Sequence, residues 1–422
     1  MYRLRPAPDH LTAFYLAMAV GGLLGGVFCA IVAPELFDWT YEHPLLILGA
    51  AVLLPQAPLL RSLDRLWSDG TRRLAIGTGF ALAAIVLSLI AGGQIWWTRP
   101  EWVRIGCITI IGLMALASLG RPLIFAACLC GIMLGHDGWS TLKVSVSDSR
   151  TRSYFGVYTV TDRLYDGTRT LVHGTTLHGL QSIRPGMETE PTSYYGKTSG
   201  VGYAMAGAPL MFGDGARIGV VGLGTGTLAC YAQPGQSWRF FEIDPTVVAI
   251  ATDPRRFTFL ARCKPDASIV VGDARLTIAS QPESSLDLLA VDAFSSDAIP
   301  MHLLTREAMQ VYGRSVQEDG LILFHISNRY HDLAPVLAAN AKALGWHAML
   351  LVDDLPAAAD ALNNTSVWVA LSRDEGTLFL LRLASGKAAR DWEQLRPLPG
   401  FAGWTDDHAS ILPLLKDLLP WP

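Results

Sequence analysis

The chain has 422 residues, half of them hydrophobic and 17% charged, with a mean hydropathy of +0.31. That excludes a disordered chain, which lacks apolar surface to bury, and is too apolar for an ordinary water-soluble enzyme. The 33 basic and 37 acidic residues leave a net charge of −4, which excludes a nucleic-acid binder working through a basic surface.

Charge is unevenly spread. Only 16 Asp, Glu, Lys and Arg residues fall within the first 135 positions, clustered between long apolar runs. A membrane-spanning helix needs about 20 mostly apolar residues. Residues 11–32 supply a first span, with Gly21-Gly22 and Gly25-Gly26 offering a surface for close helix approach. Residues 44–60 are a shorter second span and 74–97 a third. Residues 103–134 hold one long span or two short ones, with Arg121-Pro122 marking a turn in which Pro122 opens a new helix. Further spans follow the first, so a cleaved signal peptide is not expected.

Arg3 and Arg5 precede the first span, and Arg61, Arg65, Arg72 and Arg73 lie between the second and third. Glu35, Asp38 and Glu42 occupy a loop without basic residues. The positive-inside rule puts the Arg-rich segments in the cytoplasm, with Trp96, Trp97 and Trp102 at the opposite interface. One span in the last stretch leaves the C-terminal part cytoplasmic and two leave it outside. The turn favours two and a cytosolic ligand, argued below, favours one; the cytoplasmic side is adopted. The six cysteines show neither zinc spacing nor a disulfide framework.

Beyond Asp137 the pattern changes. Residues 142–146, 154–161 and 170–173 alternate or carry β-branched side chains, with a turn at Asp166-Gly167, which predicts a small antiparallel β-subdomain ending near Gln181. From Ala216 onward, strands at 218–221, 239–242, 268–271, 286–291, 321–325, 348–352 and 367–371 alternate with helical stretches such as 308–316 and 333–344. This predicts a doubly wound, largely parallel sheet. Ligands bind such sheets beyond the carboxyl ends of the strands.

Those ends carry the informative residues. The first strand runs into Gly222-Leu223-Gly224-Thr225-Gly226-Thr227, where glycines permit a tight turn and close backbone approach to a ligand at the next helix's N-terminus. Glu242 follows Gly222 by 20 residues, a spacing at which a carboxylate accepts ribose hydroxyls; Asp244, before Pro245, reads as a helix N-cap. Asp273 ends the third strand beside Ala274. Its carboxylate can accept from an adenine amino group, with an adjacent backbone N–H reading a ring nitrogen, or it can cap the helix predicted over 274–279. Asp292 ends the fourth strand and opens a loop, Ala293-Phe294-Ser295-Ser296-Asp297-Ala298-Ile299-Pro300, that reads as a lid. The set describes an adenosine pocket walled by carboxylates and without a phosphate-binding lysine. That favours a cationic sulfonium nucleoside over ATP or NAD.

With these motifs, and with His173-Gly174-Thr175-Thr176-Leu177-His178-Gly179-Leu180-Gln181 and Pro191-Thr192-Ser193-Tyr194-Tyr195, the chain resembles the polyamine aminopropyltransferases (spermidine synthases). The resemblance is to their membrane-fused branch and extends over nearly the whole chain. It implies a transmembrane helical bundle over residues 1–136 (four or five spans), a β-subdomain over 137–190, and a Rossmann-like, class I methyltransferase-type catalytic domain over 191–422. It implies transfer of an aminopropyl group from decarboxylated S-adenosylmethionine to a polyamine or diamine, releasing methylthioadenosine. Gln181, Gly222, Gly224, Gly226, Glu242, Asp273 and Ala274 would bind the donor, and Tyr194 and Tyr195 the substrate. Asp292 and Asp297 would be the catalytic acids; no metal is called for. A lipid bilayer and a second copy of the chain are the other expected partners.

Two departures bear on the substrate. Thr225 stands where the family's glycine loop carries an acid for the donor's amino group, and Tyr194-Tyr195-Gly196-Lys197 lacks an acid for the acceptor. Both remove negative charge, which raises the standing of intact S-adenosylmethionine as donor. Methyl transfer, sulfonium cleavage and a non-catalytic nucleoside or polyamine sensor or transporter are the alternatives. His173 and His178 read as structural or lid residues rather than metal ligands; His302 in the lid and His325 at a strand end could reach the pocket, with His325 reading better as a satisfied strand-end histidine. Asp406 and Asp407 read either as further site acids or as a cap before Ala409.

Overall fold

The computed structural model describes residues 7–58, 67, 70–96, 98–174, 176–292, 300–354 and 362–416. The chain divides into two compact units, Met1–Val157 and Tyr158–Pro422.

Among the described residues of the first unit, Pro8–Leu36, Gly70–Ala91 and Pro122–Val146 are long and apolar enough to cross a bilayer. Glu42–Leu53 and Glu101–Ala117 are shorter. Pro122 does open a helix, so residues 103–134 form two helices, because its missing N–H and fixed φ suit a first helical position. The helix predicted over 74–97 stops at Ala91, where the Gly92-Gly93 pair follows. Close approach through small residues occurs elsewhere than predicted. Nothing lies within 4 Å of a Cβ built at Gly21, Gly22, Gly25 or Gly26, whereas Gly131 and Gly135 sit against Ala84 and Ala91 at 3.1 Å. The strand predicted over 142–146 is the helix Trp139–Val146. Five alternating residues are too few to oppose a helix already propagating from Pro122, and Val146 is 89% exposed rather than half-buried.

After the short β1 (Arg150–Ser153), β2 (Gly156–Arg163, which crosses the unit boundary), β3 (Thr168–His173) and β4 (Thr176–Ser182) form the predicted antiparallel ribbon. A larger sheet follows: β5 (Arg217–Val221), β6 (Ser237–Glu242), β7 (Ser268–Val271), β8 (Leu286–Val291), β9 (Val316–His325), β10 (His347–Asp353), β11 (Ser366–Ser372) and the short β12 (Glu393–Gln394). Their spatial order is β12-β10-β11-β9-β8-β5-β6-β7. β7, β6, β5, β8 and β9 are parallel; β11 pairs antiparallel with both β9 and β10, so it alone of these seven is reversed. This is a Rossmann-like sheet of the class I methyltransferase type, mixed rather than wholly parallel.

Alternation along the strands explains the double winding. Ile218, Val220, Phe240, Leu288, Ala290 and Leu323 enter one core with the helices Gly200–Phe212, Pro245–Thr252 and Glu375–Ala384. Val221, Phe241, Leu289, Val291, Ile322 and Phe324 enter the other with Ala274–Ala279, Arg306–Ser315 and Ala334–Leu344. A strand buried on both faces carries apolar residues at successive positions, as these do. Tyr158 and Leu171 of the ribbon join the first core, which seats the ribbon beside the glycine loop.

One covalent feature departs from the sequence reading. Cys230 and Cys263 form a disulfide. The spacing of 33 residues carries no signal by itself; the fold brings the turn after the glycine loop against the helix Phe259–Cys263.

Candidate active site

Backbone hydrogen bonds continue past the strand ends and align the site. The Asp292 N–H donates to Val221 O at 2.9 Å, Gly222 N–H to Phe241 O at 2.8 Å, and Gly272 N–H to Glu242 O at 2.9 Å. Asp292, the glycine loop, Glu242 and the Gly272-Asp273 turn therefore stand side by side along the carboxyl edge of the parallel strands. This is the edge at which such sheets bind ligands.

Gly222, Gly224 and Gly226 have φ of +88°, +53° and +83°, a region that costs other residues strain. Ribbon strand β4 closes one side of the loop: a Cβ on Gly179 would fall 2.5 Å from the Thr225 side chain, and one on Gly224 3.0 Å from His178 O. Thr225 is fully buried with its hydroxyl 2.9 Å from that of Thr227. The helix expected after the loop is only a five-residue 3-10 turn, Thr227–Tyr231. Three glycines and a threonine pair tighten the chain there, and so short a turn offers little macrodipole to an anion.

Glu242 is buried and accepts from two backbone N–H groups, Leu223 on Oε2 at 2.8 Å and Asp244 on Oε1 at 3.0 Å. Burial pushes its carboxyl above the ordinary range, against those two hydrogen bonds. Asp244 caps the helix Pro245–Thr252 through Thr246 N–H, as predicted. Asp273 caps Ala274–Ala279 through Leu276 N–H at 3.0 Å, and its other oxygen lies 3.1 Å from His302 Nε2. Ala274 is buried as the first residue of that helix. Gln181 is locked: its amide donates to Glu188 O and Thr258 Oγ1, and its oxygen accepts from Thr258 N–H. Asp406 forms a bidentate pair with Arg275 and accepts from Thr305, and no helix begins at Ala409.

The densest cluster surrounds Asp292. Its Oδ2 accepts from the Tyr195 hydroxyl, and its Oδ1 lies 2.8 Å from His325 Nδ1. Burial pushes this carboxyl up, but neighbouring His325 and the Tyr195 hydroxyl outweigh it and hold Asp292 below the ordinary carboxylate value. Burial and the Asp292 charge both raise Tyr194 and Tyr195. Tyr194 stacks on His325 with ring centres 4.6 Å apart, and Trp368 also stacks on His325, at 4.8 Å. Ser193, just before the tyrosine pair, has φ +61°. Its N–H donates to Leu362 O and its O accepts from Asn364 N–H. A strained residue held from both sides aims the two rings.

The structure thus groups Asp292, Tyr194 and Tyr195, and sets Gly222, Gly224, Gly226 and Glu242 together on the same edge with Asp273 and Ala274. Asp297 lies outside the described residues. His325 is the residue that sequence reasoning set aside. Its position at the end of β9, the parallel neighbour of β8, was the available signal, and its partner could not be read without register. His173 and His178 have ring centres 5.2 Å apart, and no group of three potential metal ligands occurs among the described residues.

No protein-family model matches the sequence, and no curated protein sequence matches it. In structure the chain is similar to a probable spermidine synthase from Corynebacterium glutamicum, at 13% identity and a TM-score of 0.46 over 62% of this chain and 97% of that one. It is also similar to the spermidine synthase of Thermotoga maritima, at 14% identity and TM-score 0.40 over 59% and 79% of the two chains. A precorrin-6y C5,15-methyltransferase from Geobacter metallireducens matches at 14% identity and TM-score 0.31 over 41% and 87%.

Proposed function

We propose that the chain is a membrane-anchored aminopropyltransferase that moves an aminopropyl group from decarboxylated S-adenosylmethionine to an amine. The observation that carries this reading is the alignment of the glycine loop, Glu242 and the Asp292–Tyr195–His325 cluster along one sheet edge. The chemistry of that edge suits a cationic nucleoside: Glu242, Asp273 and Asp292 are acids, and residues 222–227 contain no basic side chain. Glu242 would accept the ribose hydroxyls on its remaining lone pairs, with Asp273 and the Ala274 N–H at the adenine. Gln181 would support that end by fixing Thr258.

A primary ammonium titrates near 10.4 in water, so the free amine is scarce at neutral pH. In the proposed reaction the amine nitrogen attacks the carbon beside sulfur. The C–S bond breaks with its electron pair going to sulfur, and the nitrogen loses a proton toward Asp292. Methylthioadenosine leaves as a neutral molecule and needs no acid. Asp292 and Tyr195 would hold the amine in line, and Asp297 is proposed as the second acid.

A specific observation favours intact S-adenosylmethionine as a second donor. Position 225 presents a buried hydroxyl paired with Thr227 rather than a carboxylate, so nothing in the loop distinguishes a donor without a carboxyl group. Methyl transfer is then the competing reaction. Three helices able to cross a bilayer support the anchor, and a cytosolic donor supports placing the catalytic unit on the cytoplasmic side. The test is to incubate purified protein with each donor and a panel of amines and identify the nucleoside by mass. Methylthioadenosine formed only with an amine supports aminopropyl transfer. S-adenosylhomocysteine supports methyl transfer, methylthioadenosine without an amine supports cleavage, and binding without product supports a sensor or transporter.

A further inference from the structure

His325 is held on every side. Ser327 Oγ accepts the Val367 N–H at 2.8 Å and lies 2.8 Å from His325 Nε2. Asp292 Oδ1 faces the ring at Nδ1, and an ionised carboxylate only accepts, so the neutral ring carries its proton on Nδ1. That contact is 2.8 Å long, and it leaves Nε2 a lone pair to which the Ser327 hydroxyl can donate. Tyr194 and Trp368, both stacked on the imidazole at 20° and 23°, oppose a ring flip that would exchange the two nitrogens. The side chain is only 6% exposed.

We infer that His325 is the positioning residue of this site: in its neutral form, with its proton on the nitrogen that faces Asp292, it aims the Asp292 carboxylate, and its protonation turns off the attraction of that carboxylate for a cationic acceptor. When His325 gains a proton at Nε2, both ring nitrogens become donors and the Ser327 hydroxyl turns to accept. The charge of the Asp292–His325 pair changes from −1 to 0, so an incoming ammonium meets a neutral pair. The other titratable groups facing this pair are Tyr194 and Tyr195, both held neutral by burial, and His178, whose charge also acts on Asp292.

The inference rests on the aminopropyltransferase reading for its kinetic consequence but not for its structural one, and the experiment has an arm for each. In the kinetic arm, kcat/KM for the amine is followed from pH 5 to 9. His325→Ala lowers it roughly 10- to 100-fold, the usual consequence of removing a hydrogen bond to a charged group. His325→Gln, whose amide N–H can replace Nδ1–H without titrating, recovers most of the loss and has no acid limb attributable to position 325. Ser327→Ala keeps the limb and lowers the rate by a smaller factor. In the structural arm, full-length protein labelled with ¹⁵N-histidine is titrated by NMR, the His325 signal being the one missing from His325→Gln. It shows the neutral ring protonated at Nδ1, and Asp292→Asn abolishes that preference. A neutral ring protonated at Nε2, or an acid limb identical in wild type and His325→Gln, overturns the inference. Absence of nucleoside product with every donor would remove only the aminopropyltransferase reading, since the NMR arm needs no turnover.

Discussion

Asp292 Oδ1 and His325 Nδ1 lie 2.8 Å apart at the carboxyl ends of the neighbouring parallel strands β8 and β9, and both side chains are buried. A buried carboxylate with a charged-capable partner and a tyrosine hydroxyl is a group whose removal leaves others unsatisfied. Asp292→Asn is expected to lower kcat/KM at least 100-fold while changing the affinity for methylthioadenosine less than threefold, estimates consistent with a lost charged contact to the acceptor alone. Mass detection of the nucleoside product and calorimetric titration check the two halves. Equal loss of nucleoside binding would assign Asp292 to the donor pocket instead.

The same carboxyl makes a stability prediction with a definite sign. Its folded pKa lies below the ordinary value, so the unfolded chain binds more protons between the two values. The stabilisation is fully present above the unfolded value, near 3.9, and is lost as pH falls through the folded value. Wild-type protein should therefore lose stability over this acid window more steeply than Asp292→Asn, as read by thermal unfolding between pH 2.5 and 6.

Glu242→Gln should weaken donor and methylthioadenosine binding roughly 10- to 100-fold, because the amide has one acceptor oxygen where the carboxylate has two, both already engaged by backbone N–H groups. With saturating donor, kcat should fall far less. A parallel fall in kcat would place Glu242 in the chemical step.

Asp273 has a structural task that can be separated from nucleoside recognition. Asp273→Ala removes the cap on Ala274–Ala279, a loss of about 1 kcal/mol, or roughly 2–4 °C in Tm for a unit of this size. Asp273→Asn keeps the cap and should hold Tm within a degree or so, yet weaken methylthioadenosine binding because the amide accepts less strongly. Unchanged binding in the Asn variant would restrict Asp273 to capping.

The Cys230–Cys263 bridge closes a loop of 33 residues, for which chain entropy gives roughly 3–4 kcal/mol. It ties the turn after the glycine loop to the helix beginning next to Thr258, the partner of Gln181. Reductant, or Cys263→Ser, should lower Tm and weaken methylthioadenosine binding together. On the cytoplasmic placement proposed above, thiol trapping in intact cells should find the pair reduced, with the bridge forming on air oxidation. A bridge already present in cells would move the catalytic unit to an oxidising compartment.

Periodicity and composition alone determined the strands of the large sheet, the apolar helices, the glycine turn and the acid that follows it by 20 residues. These are local properties, set by side-chain alternation, length and backbone freedom. Five alternating residues do not distinguish the two periods, so 142–146 reads as a strand where the structure has the helix Trp139–Val146. Only tertiary structure decided the rest. Strand order brought His325 to Asp292, and the packing of the loops and helices brought Cys230 to Cys263 and Asp406 to Arg275. Such contacts join residues 33 to 131 positions apart. Which of many polar residues meet across that distance depends on register and packing, which no short window of sequence contains.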